Sequence, residues 1–215
     1  MRKIDWVLRE ILFRVYEKNE IFMTQKSIAT TCGLSMDTVN RLVTKLDRLR
    51  AVEKRPFGFR VTEPKKVLTY WAATRNLPND IAYMTFSPYS PDRIEDALPE
   101  EAIFTGYSGY KFTFKTTPVP YEEVFVYADP DEVRKKFPES SVKDHNLVVL
   151  KSDPHLKLLK QDRSAPFAQL YVDLWQIGGP TANRFLLEME RKIESQPVEA
   201  LKTLVERARK SQEEE

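Results

Sequence analysis

The sequence predicts an α+β protein built from a basic helical N-terminal part closed by a hairpin and an acidic C-terminal part with a mixed sheet. Three observations carry this. Apolar residues early in the chain recur at helical spacing and lead into two short strand-like runs around a turn. Beyond residue 80, strand-like and helix-like runs alternate. The charge changes sign between the two parts: residues 1–75 hold 16 Lys+Arg against 8 Asp+Glu, net +8, and the remainder holds 18 against 24, net −6. We place the domains at 1–76 and 80–215, because Asn76, Leu77, Pro78, Asn79 and Asp80 break a helix where the charge reverses. At 215 residues and 41% hydrophobic content, the chain can bury a core in each.

In order, Ile4, Val7, Leu8, Ile11, Leu12 and Val15 share one face of a first helix, which Asn19 and Glu20 close. Ile21, Phe22 and Met23 form an apolar connector suited to adding a strand. Thr24 is placed to N-cap a short helix containing Ile28 and Ala29, Gly33 supplies a sharp turn, and Ser35 caps the next helix. There Val39, Leu42, Val43, Leu46 and Leu49 make an apolar stripe with a period of about 3.6 residues. Its other face carries Met36, Asp37, Thr38, Asn40, Arg41, Thr44, Lys45 and Arg48. Two strands then flank a turn containing Pro56 and Gly58, with Lys54, Arg55 and Arg60 on them. Pro64 opens a fourth helix with Val67, Leu68, Trp71 and Ala72 inward, Trp71 packing on the domain.

This order is that of a winged helix. Short hydrogen-bonding groups early in a recognition helix reach base edges, and later cations meet phosphates. Cations on a wing straddle a backbone or enter a minor groove. The expected contacts to double-stranded DNA are Ser35, Asp37, Thr38, Asn40, Arg41, Thr44, Lys45, Arg48, Lys54, Arg55 and Arg60. The plainer readings are a solvated helix face and an ordinary surface hairpin. Motif, module order and the basic charge together favour DNA.

In the second part, residues 81–86, 123–127, 146–151 and 169–174 read as strands. Residues 91–98 read as a helix, and Asp129 and Asp131 open another, with Val133 and Phe137 inward. Residues 111–115 fit either a helix end or a strand. Gly178, Gly179 and Pro180 break the chain before helices over 181–195 and 197–209, and Glu213, Glu214 and Glu215 form an acidic end. Leu201 and Leu204 give the last helix an apolar face, for its own sheet, a dimer seam or a partner. Oligomeric state stays open, a homodimer among the alternatives.

The segment TGYSGY (residues 105–110) and the stretch QLYVDLWQIGGPTANRFLLEM (residues 169–189), placed after such an N-terminal domain, resemble the AbiEi-like transcriptional regulators. These are antitoxins of type IV toxin–antitoxin, abortive-infection systems. The resemblance implies a winged helix that represses its own promoter, and a C-terminal domain of nucleotidyltransferase-related fold that counteracts a cognate toxin.

A nucleotidyltransferase enzyme is the rival reading. It needs a Gly-Ser turn for a triphosphate and carboxylates converging on divalent metal. Gly106 and Ser108 are separated by Tyr107, no Asp-x-Asp follows at short distance, and Asp129 and Asp131 suit a helix start. Asp173 is the one acid placed for burial, and a lone buried Asp is usually hydrogen-bonded structure. His145 and His155 are poorly spaced for zinc. No catalytic residue, cofactor or metal is therefore expected. A third reading is a ligand-sensing regulator, whose acidic domain binds a small-molecule effector. With Cys32 the only cysteine, no membrane-spanning run and no signal-peptide pattern, the expectation is a cytoplasmic protein that does not engage a membrane.

Overall fold

A computed structural model describes residues 2–195. The mixed α+β composition is as expected, with two separate sheets. Helix α1 (Lys3–Lys18) ends at Asn19, which takes the left-handed conformation. The short strand β1 (Phe22–Met23) follows, then α2 (Gln25–Cys32), in which Thr24 Oγ1 accepts the Ser27 N–H, and α3 (Met36–Arg48), in which Ser35 Oγ accepts the Thr38 N–H. Both caps satisfy backbone donors that a helix start leaves open. Gly33 between them has φ +61°, a conformation that glycine adopts without strain. Strands β2 (Val52–Arg55) and β3 (Gly58–Val61) form a hairpin, and β1 pairs with β3 on its other edge.

Helix α4 (Pro64–Thr74) and a 3-10 turn (Pro78–Asp80) lead into the larger sheet. Its strands β4 (Ile81–Thr85), β5 (Ile103–Thr105), β6 (Val124–Tyr127) and β7 (Leu147–Leu150) lie in the order β4-β7-β6-β5. Among these four strands β6 and β7 pair in parallel and the other pairings are antiparallel. Both sheet faces are covered. Val124, Val126, Leu147 and Val149 pack with Ile94 of α5 (Pro91–Ala97) and Val133 of α7 (Pro130–Lys136). Phe125, Tyr127, Val148 and Leu150 face α6 (Gly106–Phe114) and α9 (Phe167–Ile177). Burial on two faces explains why VFVY and LVVL are continuous apolar runs without alternation.

Residues 169–174, expected as a strand, lie instead within α9. Eight consecutive residues of this helix, Phe167, Ala168, Gln169, Leu170, Tyr171, Val172, Asp173 and Leu174, are buried. Its polar residues Gln169 and Asp173 are buried too, so the short window 169–174 has no exposed face, and the alternation of Val172, Asp173 and Leu174 reads as a strand. Residues 111–115 resolve toward helix, α6 ending at Phe114. The short helix α8 (Pro154–Leu159), capped by Asp153, is an element beyond those read from the sequence. Helix α10 (Gly179–Ser195) begins within the Gly-Gly-Pro segment, two residues earlier than the helix expected over 181–195, and only Gly178 separates it from α9. The helix expected over 197–209, its Leu201 and Leu204 face and the acidic end lie outside the described residues.

The larger apolar core does not stop at residues 76–80. It runs from Val7 and Leu8 of α1 through Trp71 of α4 to Leu170 of α9 and Phe185 of α10. Trp71 is fully buried and donates its indole N–H to Asp5 Oδ1 at 3.1 Å.

Candidate nucleic-acid interface

The apolar stripe of α3 points inward at Val39, Leu42, Val43 and Leu46, while Leu49, after its last turn, is half exposed. That orientation turns the opposite face to solvent. Ser35, Asp37, Asn40, Arg41, Lys45 and Arg48 are exposed, and Thr38 and Thr44 are partly covered. Lys54, Arg55 and Arg60 of the hairpin are also exposed.

Helix and hairpin are joined into one surface. Lys54 Nζ donates to Thr44 Oγ1 at 2.6 Å, and the Lys54 backbone N–H donates to Asp47 Oδ1 at 3.2 Å. The register Glu53↔Arg60 and Arg55↔Gly58 puts Glu53, Arg55 and Arg60 on one face of the hairpin. Lys54 lies on the other, toward α3. Lys45 Nζ sits 5.1 Å from the Tyr70 ring centroid.

Two of the arginines have local carboxylate partners. Arg41 pairs with Asp37 one turn earlier, and Arg55 pairs with Glu53 at 2.8 Å. Each such exposed pair contributes only about 0–1 kcal/mol. Either guanidinium can therefore leave its carboxylate at little cost. The structure thus leaves all eleven sequence-expected residues exposed or partly exposed, and it joins α3 to the hairpin through Thr44 and Lys54. What the sequence reading passed over is Phe57, 93% exposed at the hairpin tip with φ +67°. The signal was the tripeptide Pro56-Phe57-Gly58, in which a bulky residue occupies a tight turn.

A second polar assembly is of the opposite kind. Fully buried Arg9 on α1 donates from Nη1 and Nη2 to Asp153 at 2.9 and 2.8 Å and from Nε to Gln169 Oε1 at 2.8 Å. Gln169 Nε2 donates in turn to Tyr127 OH and to Asp173 Oδ1. Asp173 also accepts from Thr105 Oγ1 at 2.7 Å and Tyr127 OH at 2.6 Å, and Arg75 pairs with Asp80 beside it. On the other side, Glu10 bonds His155 Nε2 at 3.0 Å and receives Arg14 Nε at 2.6 Å. Arg14 continues to Ser27 Oγ and Thr31 Oγ1 on α2, at 3.0 and 3.1 Å.

Burial would raise the Asp153 carboxyl, but the Arg9 guanidinium holds it below the usual range. Burial opposes Glu10 in the same way, and hydrogen bonds from His155 and Arg14 leave it lowered. Burial pushes the Cys32 thiol up to about 12, which leaves a protonated thiol in a buried position.

Asp173, the one acid that the sequence placed for burial, is fully buried and spends its oxygens on Thr105, Tyr127 and Gln169, with Arg75 Nε at 3.5 Å. Gly106, Tyr107, Ser108, Gly109 and Tyr110 are all buried at the start of α6. A Cβ on Gly109 would meet Leu170 Cδ2 at 2.4 Å and Phe104 O at 2.8 Å, so this glycine serves close packing of α6. Among the described residues there is no group of three or more His, Cys, Asp or Glu able to hold a metal ion, and no helix long and apolar enough to cross a membrane.

Comparison of the chain with protein-family models, with curated proteins and with solved structures found no match.

Proposed function

We propose that this chain is a DNA-binding transcriptional regulator in which α1, α2, α3 and the β2/β3 hairpin act as a winged helix. The observation that carries this is the Thr44–Lys54 bridge, which joins the exposed polar face of α3 to a hairpin bearing Arg55 and Arg60. A helix entering the major groove then presents Asp37, Thr38, Asn40 and Arg41 near its N-terminus to base edges, while Lys45, Arg48 and the hairpin cations meet phosphates. The excess of cations in residues 1–75 supports the same orientation, and the acidic remainder is held away from a polyanion. On the resemblance of residues 105–110 and 169–189 to AbiEi-like regulators, the protein is an antitoxin-like repressor of its own operon. Its C-terminal part then meets a toxin protein. The test is binding of the full chain to duplex DNA from upstream of its own gene. Affinity is expected to fall steeply with salt, and Arg41→Ala and Arg55→Ala to weaken it. Binding that both variants retain at moderate salt overturns the assignment.

One observation favours effector sensing as a second reading. A cavity of about 570 Å³ opens at the C-terminal ends of the parallel strands β6 and β7, lined in part by Tyr127, Asp129, Lys151, Ser152 and Lys157. Parallel strand ends are where open sheets commonly receive ligands. Ser152 Oγ is buried there without a hydrogen-bond partner, and Tyr127 belongs to the polar assembly that reaches α2. Under this reading a small effector changes DNA affinity and Ser152→Ala removes the response. A toxin gene as the chromosomal neighbour favours the antitoxin role instead.

A further inference from the structure

Phe57 carries two unfavourable features at once. It is the most exposed large hydrophobic side chain among the described residues, at 93%, and its φ of +67° is rare for a bulky residue. An isolated exposed apolar side chain is ordinary. The backbone explains why this one is not free to be otherwise. Arg55 pairs with Gly58, so Pro56 and Phe57 alone make the loop. A turn with proline first and positive φ second normally places glycine at the second position.

The glycine of this turn is already committed. A Cβ on Gly58 would meet Met23 O at 2.4 Å and Phe22 Cζ at 2.8 Å, so Gly58 is required where β1 closes on β3. Phe57 is left to adopt the strained conformation, and it holds a phenyl ring in water. Strain and exposure of this kind concentrate where a side chain works on a partner. The surroundings point to the partner: Phe57 lies at the tip of a hairpin that carries Arg55 and Arg60 on one face and Lys54 on the other.

We propose that Phe57 is a wedge that enters the minor groove and partly unstacks one base step, kinking the duplex while Lys54 on one side and Arg55 and Arg60 on the other meet its two backbones. Apolar wedges act in this way in proteins that bend DNA through the minor groove, and steps such as TA open most readily. The inference rests on the DNA-binding reading and adds the side chain that deforms the DNA.

The test uses the full chain and a duplex from upstream of its own gene, with a fluorescent adenine analogue at its TA steps and an energy-transfer pair at its ends. The wild type is expected to brighten the analogue and shorten the end-to-end distance. Phe57→Gly should abolish both signals and weaken binding about tenfold, the scale of one lost base–aromatic contact. Its salt dependence should be unchanged, and its Tm equal or higher, because glycine relieves the positive φ. Phe57→Leu should keep part of the bend. A Phe57→Gly protein that bends and binds like the wild type, while Arg55→Ala is impaired, overturns the wedge and leaves DNA binding standing. A wild type that binds no duplex overturns both. A fall in Tm or a change of oligomeric mass in Phe57→Gly assigns the ring to packing or to self-association, and overturns the wedge.

Discussion

The α3–hairpin surface and the assembly around Arg9 are both made of arginines facing carboxylates, yet they differ in everything that decides what such pairs do. Arg41–Asp37 and Arg55–Glu53 stand in water, each on its own element, one helical turn or one strand step apart. Arg9–Asp153 and His155–Glu10 are closed off from water and join residues far apart in the chain. An exposed pair is held weakly, so its arginine can be released to another partner. A buried pair has lost its hydration, so removing one partner strands the other. The same pairing chemistry therefore leaves an exposed surface in one place, the one proposed to meet DNA, and a buried joint between α1 and the later elements in the other.

The contrast is broken most directly by deleting one arginine from each place. Arg9→Ala should destabilise the fold by about 3–5 kcal/mol, since Asp153 and Gln169 are left buried without their donor. Urea unfolding measures it, and a loss below about 1 kcal/mol would mean that water reaches the joint. Arg41→Ala should leave unfolding within about 0.5 kcal/mol of the wild type. Its cost appears in DNA titrations, about 1–3 kcal/mol if the guanidinium reads a base, whereas Arg55→Ala should lower the salt slope by about 1.

Acid tests the buried side separately. Glu10 and Asp153 are held below their ordinary values in the folded protein. The stability they contribute is present above the unfolded carboxylate values, near about 4, and is lost as pH falls through the lower folded ones. Thermal melts should therefore drop below pH of about 4, and Asp153→Asn should flatten that dependence while starting from a lower Tm. A wild-type curve flat through this range would detach the joint from these two carboxylates. The smallest effect belongs to Glu53→Gln. Stability should stay within about 0.5 kcal/mol, and DNA affinity should rise a fewfold as Arg55 is released. A drop in stability well beyond that would mark the hairpin pair as structural, and so narrow the difference between the two regions.

In the N-terminal part, the elements that carry their own boundary signals match the sequence reading, whereas α8, with Asp153 and Pro154 at its start, was missed. Thr24 and Ser35 cap, Gly33 turns and Pro56 sits in the hairpin loop where local rules put them, because these preferences act within a few residues. The exposed face of α3 followed from the stripe at Val39, Leu42, Val43 and Leu46, since burying one face of a helix exposes the other. Helix α9 failed the same approach: Gln169, Leu170, Tyr171, Val172, Asp173 and Leu174 show no face because every side is covered. The Arg9 joint was equally hidden, its partners Asp153 and Gln169 lying far along the chain.

By itself, then, the sequence determined the α+β composition, the capped helices of the basic end and the residues that end presents to solvent, all through interactions spanning a few residues. Only tertiary structure decided that the apolar core runs unbroken past residues 76–80 and that Asp173 is consumed by Thr105, Tyr127 and Gln169. It also decided that Gly58 is claimed by β1, leaving Phe57 strained and bare at the hairpin tip. Each of those outcomes depends on which distant segment arrives as a neighbour, and a local pattern shows that a face is buried without naming what covers it.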